Sequence, residues 1–332
     1  MLSRVAEQIF WLSRHIERSI AVSRLIDVTL HLGLDAGDDE ALDLWSPLLG
    51  STNGSPAESV EPSAVRYYLA FEPANPSALL SCIRNARGAA REVRESISSE
   101  MWEQLNTLYL AVVEPGSKQQ AEDDPHLFYK RVREGAQAVQ GLADSTLVHG
   151  EGWHFFCLGM YLERADNVAR VLTLESHLLT AGSSSMREDE TVRWLAVLRS
   201  CGSAEAYARY YSLRVEPARV IEFLLLNPLF PQSIRYSLNA AWLALRGITA
   251  ADEEDHPNPA VRALGRLRAM VQHTAIDEVL EGGLDTFLSD VQRRTWEVAD
   301  HITRIYLRDQ GLQGRPMPAA RAAMIMAAQQ QQ

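Results

Sequence analysis

The segments WLSRHIERSIAVSRLI (Trp11 to Ile26) and CLGMYLERADNVARVL (Cys157 to Leu172) align without a gap, with leucine, the Glu-Arg pair, valine and arginine in register. A repeat separated by nearly half the chain restricts the fold to something built from two like units. In the first copy Ile9, Leu12, Ile16, Ser19, Ser23 and Ile26 recur at spacings of three and four, and in the second Phe155, Leu158, Leu162, Ala165, Ala169 and Leu172 do the same. That period belongs to a helix, and the row is a packing seam with small residues in its middle. Small residues let two helix axes approach closely, and the natural partner of each copy is the other. A second correspondence follows downstream, where NPSALLSCIRNA (Asn75 to Ala86) aligns with FPQSIRYSLNAA (Phe230 to Ala241). Pro76 and Pro231 are predicted in a first helical turn, where a missing N–H costs nothing.

The rest of the chain agrees with an all-α fold, a helical bundle of two related halves each carrying a Glu-Arg helix. Turn-rich stretches at Gly33 to Pro62, Glu114 to Pro125, Ala181 to Glu190 and Gly247 to Pro259 interrupt otherwise helical patterning. There is no βαβ rhythm, hairpin signal or glycine-rich phosphate loop. The expected division is a first half over 1–145, a second over 146–314 packed on it, and a weakly ordered tail over 315–332. A chain of 332 residues buries enough core to fold without a staple. Cys82, Cys157 and Cys201 are odd in number and far apart, which argues against disulfides and structural zinc and for a reducing cytoplasm. Charges from Arg4 to Arg18 interrupt any signal-peptide core, and no apolar run is long enough to span a membrane. A net charge of -11 argues against nucleic acid as a partner.

Three groups of residues can carry chemistry. Glu17 and Arg18, and Glu163 and Arg164, each follow a seam position and therefore lie beside a helix contact. Reciprocal ion pairing, Glu17 with Arg164 and Glu163 with Arg18, would fix the register between halves. Alternatively the four line a polar pocket for a charged small molecule, with Glu17 or Glu163 as a general base. Arg24 and Arg170 follow two turns later on the same face. The second group is Arg84, Arg87, Arg91 and Arg94, spaced to put four guanidinium groups on one helix face as contacts for phosphate or carboxylate. In the other half Arg246 takes the place of Arg91 and Asn239 that of Arg84. The third is Glu151-Gly-Trp-His154, a Glu-x-x-His whose only counterpart, Glu253 to His256, lies in a turn-rich stretch, so no di-iron site is expected. His126 and His273 read as surface or packing residues. Trp102, Trp153, Trp194, Trp242 and Trp296 read as core or interface anchors. No nucleophile elbow is present.

Four ordered motifs, MLSRVAEQIFWLSRHIERS, ARGAAREVRESISSEMWEQLN, LGMYLERADNVARVL and FPQSIRYSL, resemble the alpha-E proteins, named for an α-helical domain with a Glu-Arg motif. The resemblance runs to about Leu307. It implies that Glu17, Arg18, Glu163, Arg164, Arg87, Arg91, Arg94 and Pro231 are motif positions. The chain departs from the usual pattern at Gly88-Ala89, where the family has Glu-Asn, and at Gln232, where it has arginine. Family proteins are associated with circularly permuted ATP-grasp ligases and transglutaminase-like proteins. The implied role is as the helical subunit of an ATP-grasp-type amide (peptide) ligase system, supplying a docking surface and part of an anionic-substrate pocket for an amino acid or small peptide. No cofactor is expected in this chain; ATP and Mg would come through the partner. The alternatives are a stand-alone peptide-processing enzyme with a Glu base and a non-catalytic assembly scaffold.

Overall fold

Nothing between Ser3 and Leu32 breaks a helix: the stretch holds neither proline nor glycine, and its seam repeats at helical spacing. In the computed structural model, which describes residues 1–33, 44–45, 47–51, 61–180, 190–211, 214–249 and 258–307, this stretch forms α1 (Ser3–Gly33), 31 residues long. Three further long helices follow, α2 (Leu79–Glu92), α3 (Ser99–Val113) and α4 (Pro125–Thr146). The second Glu-Arg segment forms α5 (Glu151–Thr180), followed by α6 (Ile234–Ile248), α7 (Pro259–His273) and α8 (Leu284–Ile302). Short helices connect them, among them Glu190–Ser200, Ala204–Tyr211 and Pro217–Leu226. No strand occurs among the described residues.

Local chemistry sets several helix starts. Ser98 and Ser233 accept hydrogen bonds from the Met101 and Tyr236 amides, and Asp124 and Asn258 cap helices whose first residue is proline. Pro76 and Pro231 are placed differently from the prediction. Both lie in turns three residues before the first helical residue, Leu79 or Ile234, because Ala78 and Ser233 occupy the cap positions. The Glu114 to Pro125 stretch contains a further short helix, Ser117–Asp123.

α1 packs on α2 and α4, α2 on α3, and α3 on α4. α5 packs on α6 and α8, α6 on α7, and α7 on α8, while α1 and α5 lie against each other. All twelve seam residues are at most 2% exposed, so the two helices are central to the core. The seam serines remain satisfied inside the helix, Ser19 and Ser23 donating to the Ile16 and Ile20 carbonyls at 2.8 and 3.0 Å. One close approach of α5 to α1 is at Gly159, where a Cβ would collide with the Phe10 carbonyl oxygen and the Ser13 hydroxyl. Of the tryptophans, Trp194 is fully buried, whereas Trp296 is exposed and Trp102 carries arginines on its ring. The 315–332 tail and Glu253 to His256 lie outside the described residues.

Candidate functional site

At the crossing of α1 and α5 the two Glu-Arg pairs face each other reciprocally. Arg164 donates from Nε and Nη2 to the two Glu17 carboxylate oxygens at 2.7 and 2.9 Å. Arg18 donates from Nε and Nη2 to Glu163 at 2.6 and 3.0 Å. Both pairs are two-pronged, the geometry that gives a guanidinium the most specific hold on a carboxylate. Each glutamate also accepts a third donor that differs between the copies. Arg14 Nε reaches Glu163 at 2.7 Å, and Gln140 Nε2, from α4, reaches Glu17 at 2.6 Å. Met160 stands at the position in α5 equivalent to Arg14, so the second copy has no arginine to offer there.

The junction is dry on its acidic side: Glu17 is 3% and Glu163 1% exposed. Burial pushes the Glu163 carboxyl up, but Arg18 and Arg14 outweigh it and hold the carboxyl down at about 2. Burial likewise lowers Arg164, and Glu17 more than restores it, so its net shift is upward. His15, next to this cluster, is driven down to about 3 by burial and by Arg18 and Arg14, and stays neutral. Its Nδ1 is buried with no hydrogen-bond partner among the described residues. Proton abstraction by Glu163 would require breaking a three-donor ion cluster, and at neutral pH its carboxylate is a very weak base.

Only the Arg18 side chain reaches toward space, being 21% exposed. A small cavity of about 60 Å³ beside it is lined by Arg18, Ser77, Asp166, Asn167 and Arg170 among others, and by none of the α2 arginines. Those arginines divide by role. Arg84 and Arg91 are exposed. Arg87 donates to Asn106 Oδ1 at 2.8 Å and sits 4.4 Å from the Tyr109 ring centroid. Arg94 does not share that helix face as expected: α2 ends at Glu92, and Arg94 opens a separate 3-10 turn, Arg94–Ser96, with its guanidinium over Trp102 at 5.6 Å. The Gly88-Ala89 departure lies on the same helix, with Gly88 half-buried and open space around it, and Ala89 buried. The burial that shields Cys82, Cys157 and Cys201 pushes their thiols up to about 12, which leaves no thiolate nucleophile.

One cluster is absent from the sequence reading. Asp27, His31 and His126 bring their potential metal-binding atoms within 4.8 Å of one another. His126 Nδ1 lies 2.8 Å from Asp27 Oδ1, and Arg133 donates to Asp27 Oδ2 at 3.1 Å. Asp27 and His31 share a helix face at i,i+4, but His126 and Arg133 join them only by the packing of α4 on α1. His126 thus stands in a charged cluster between helices. His154 packs its ring against Gly247 of α6.

A family model described as a predicted alpha-helical domain with a conserved ER motif matches residues 1–307. An uncharacterized protein of Mycobacterium bovis and uncharacterized proteins of two strains of Mycobacterium tuberculosis are each 25% identical over 333 residues, covering 92% of this chain. The chain spans 37% of the length of these relatives. No solved structure matches it.

Proposed function

The chain belongs to the Alpha-E family, and on that premise we propose that it is the helical component of an ATP-grasp-type amide (peptide) ligase system, in which a separate catalytic unit supplies ATP and Mg. The partnership rests on the family ground; the observation that supports a non-catalytic role for the motif within it is the saturation of both Glu-Arg carboxylates by buried and half-buried donors. The motif then acts as a clasp that sets the register of α1 against α5, and the acid-base chemistry belongs elsewhere. The stand-alone enzyme with a Glu17 or Glu163 base is correspondingly disfavoured. The groups free to meet an amino acid or peptide substrate, or a partner's acidic surface, are the exposed Arg84 and Arg91 of α2, with Arg87 and Arg94 set beside them by their aromatic neighbours. Most of each relative's length lies outside the match, so in those proteins this unit is joined to further sequence. A transglutaminase-like protein is a further candidate partner on the same family ground.

The two-halves architecture, divided near 145, is part of this proposal. Its support is the equivalent packing order of α1 to α4 and α5 to α8, and the equal placement of Pro76 and Pro231 before α2 and α6. The same reading takes the chain to be cytoplasmic. Three buried free cysteines favour it, as does the finding that no described helix is long and apolar enough to cross a membrane. A non-catalytic scaffold is the second reading, favoured by exposed Leu229 and Leu243, 74% and 69% accessible.

Product formation followed by mass spectrometry tests the proposal, with this chain and an ATP-grasp protein encoded beside it, each alone and together, over a panel of amino acids. Product only from the mixture, reduced by Arg91→Ala with folding intact, is the expected result. Equal turnover without this chain refutes the subunit role, and unchanged turnover of Arg91→Ala refutes the α2 contact.

A further inference from the structure

Two turns beyond the Glu-Arg junction, α1 borders a cleft of about 410 Å³, walled by Arg24 and Asp27 of α1, Arg133 of α4, and Arg199, Gly202 and Glu205. Its charges do not balance. Arg133 is paired with Asp27, whereas Arg24 and Arg199 have no carboxylate partner among the described residues. Glu205, the remaining acid, is exposed on the rim, where water screens it. Burial, with Arg133 close by, depresses the pKa of Arg24 and outweighs the opposing pull of Glu17.

The backbone opposite Arg24 is shaped for close approach. Gly202 adopts a left-handed φ of 60° in the turn between Glu190–Ser200 and Ala204–Tyr211. A Cβ there would come within 2.8 Å of the Arg24 Cζ atom, so only glycine leaves room for the guanidinium in that position. Ser203, standing where an N-cap would, donates its hydroxyl to the Leu198 carbonyl at 2.7 Å. The cleft therefore combines two uncompensated guanidinium forks with the start of a helix. A single carboxylate is satisfied by one fork, whereas a dianionic phosphoryl group has oxygens for both and for helix-start amides. The volume suits a small molecule rather than a bare ion.

We propose that this cleft binds the phosphoryl group of a small phosphorylated molecule, held by Arg24 and Arg199 and seated against the Gly202 turn. The site is separate from the α2 arginines and does not depend on the ligase reading, since its test uses this chain alone. Titration calorimetry at constant ionic strength, with inorganic phosphate, glycerol 3-phosphate and acetate as probes, is expected to give saturable binding of both phosphates, tighter for the ester, and none of acetate. Arg199→Gln, at an exposed position, should weaken binding by about tenfold without changing the unfolding midpoint, and Arg24→Gln should weaken it at least as much. Absence of saturable phosphate binding overturns the proposal, as does wild-type affinity in both variants or acetate binding as tight as that of phosphate. Saturable zinc binding lost in His31→Ala, with no phosphate binding, would instead assign this region to the Asp27, His31 and His126 cluster.

Discussion

Replacing Glu163 by glutamine keeps the shape of the junction and removes its charge, leaving Arg14 and Arg18 without their shared carboxylate. Removing one partner of a buried ion pair costs about 3–5 kcal/mol. The carboxyl's own shift gives a similar figure: a fall from 4.5 to about 2 corresponds to about 3 kcal/mol of stability at neutral pH. No discount for solvent applies, because Glu163 is 1% exposed. Since the folded-state value is the lower one, this stability is complete above the unfolded value and is lost as pH falls from 4.5 through about 2. Linkage places about 2 kcal/mol of the loss above pH 3. Urea unfolding of the wild type and Glu163→Gln should therefore differ by about 3 kcal/mol at pH 7 and by about 1 kcal/mol at pH 3. A gap that is the same at both pH values, or under about 1 kcal/mol at pH 7, would refute the buried-clasp reasoning and reopen a solvent-reachable Glu-Arg pocket.

Two other substitutions probe packing and the arginine face. Gly159→Ala should destabilise by about 1–3 kcal/mol in chemical denaturation, because its methyl group meets the Phe10 carbonyl and Ser13; Gly88→Ala, with nothing within 4 Å, should be neutral or stabilising by up to about 1 kcal/mol. Equal effects at the two glycines would mean that α1 and α5 do not touch at Gly159. Arg87→Ala, which loses the Asn106 hydrogen bond and the Tyr109 and Trp102 contacts, should cost about 1–2 kcal/mol. Arg84→Ala, at an exposed position, should stay within about 0.5 kcal/mol. The reverse order in thermal unfolding would show that the α2 arginines do not divide in this way.

The period of three and four in Ile9 to Ile26 and Phe155 to Leu172 was enough to mark two helices, their buried faces and their mutual contact, because burial of an apolar row depends only on where side chains point along one helix. The same register allowed two readings of Glu17, Arg18, Glu163 and Arg164, reciprocal pairs or an open polar pocket, and only the burial of the carboxylates in the structure separates them. The third donors did not follow from the register. Arg14 was legible only as a residue one turn before Arg18, and Gln140 had no signal, since it reaches Glu17 from a helix more than a hundred residues away in sequence. The same holds for the phosphoryl cleft: Arg24, Arg133 and Arg199 share no motif and no helix, and only the packing of α4 and the Gly202 turn against α1 gathers them. Spacing along the chain determined which residues are buried together on one helix face; which charges are neutralised, and which are left for a ligand, was decided by the tertiary structure, because Coulomb energy depends on distance through space and on the loss of water.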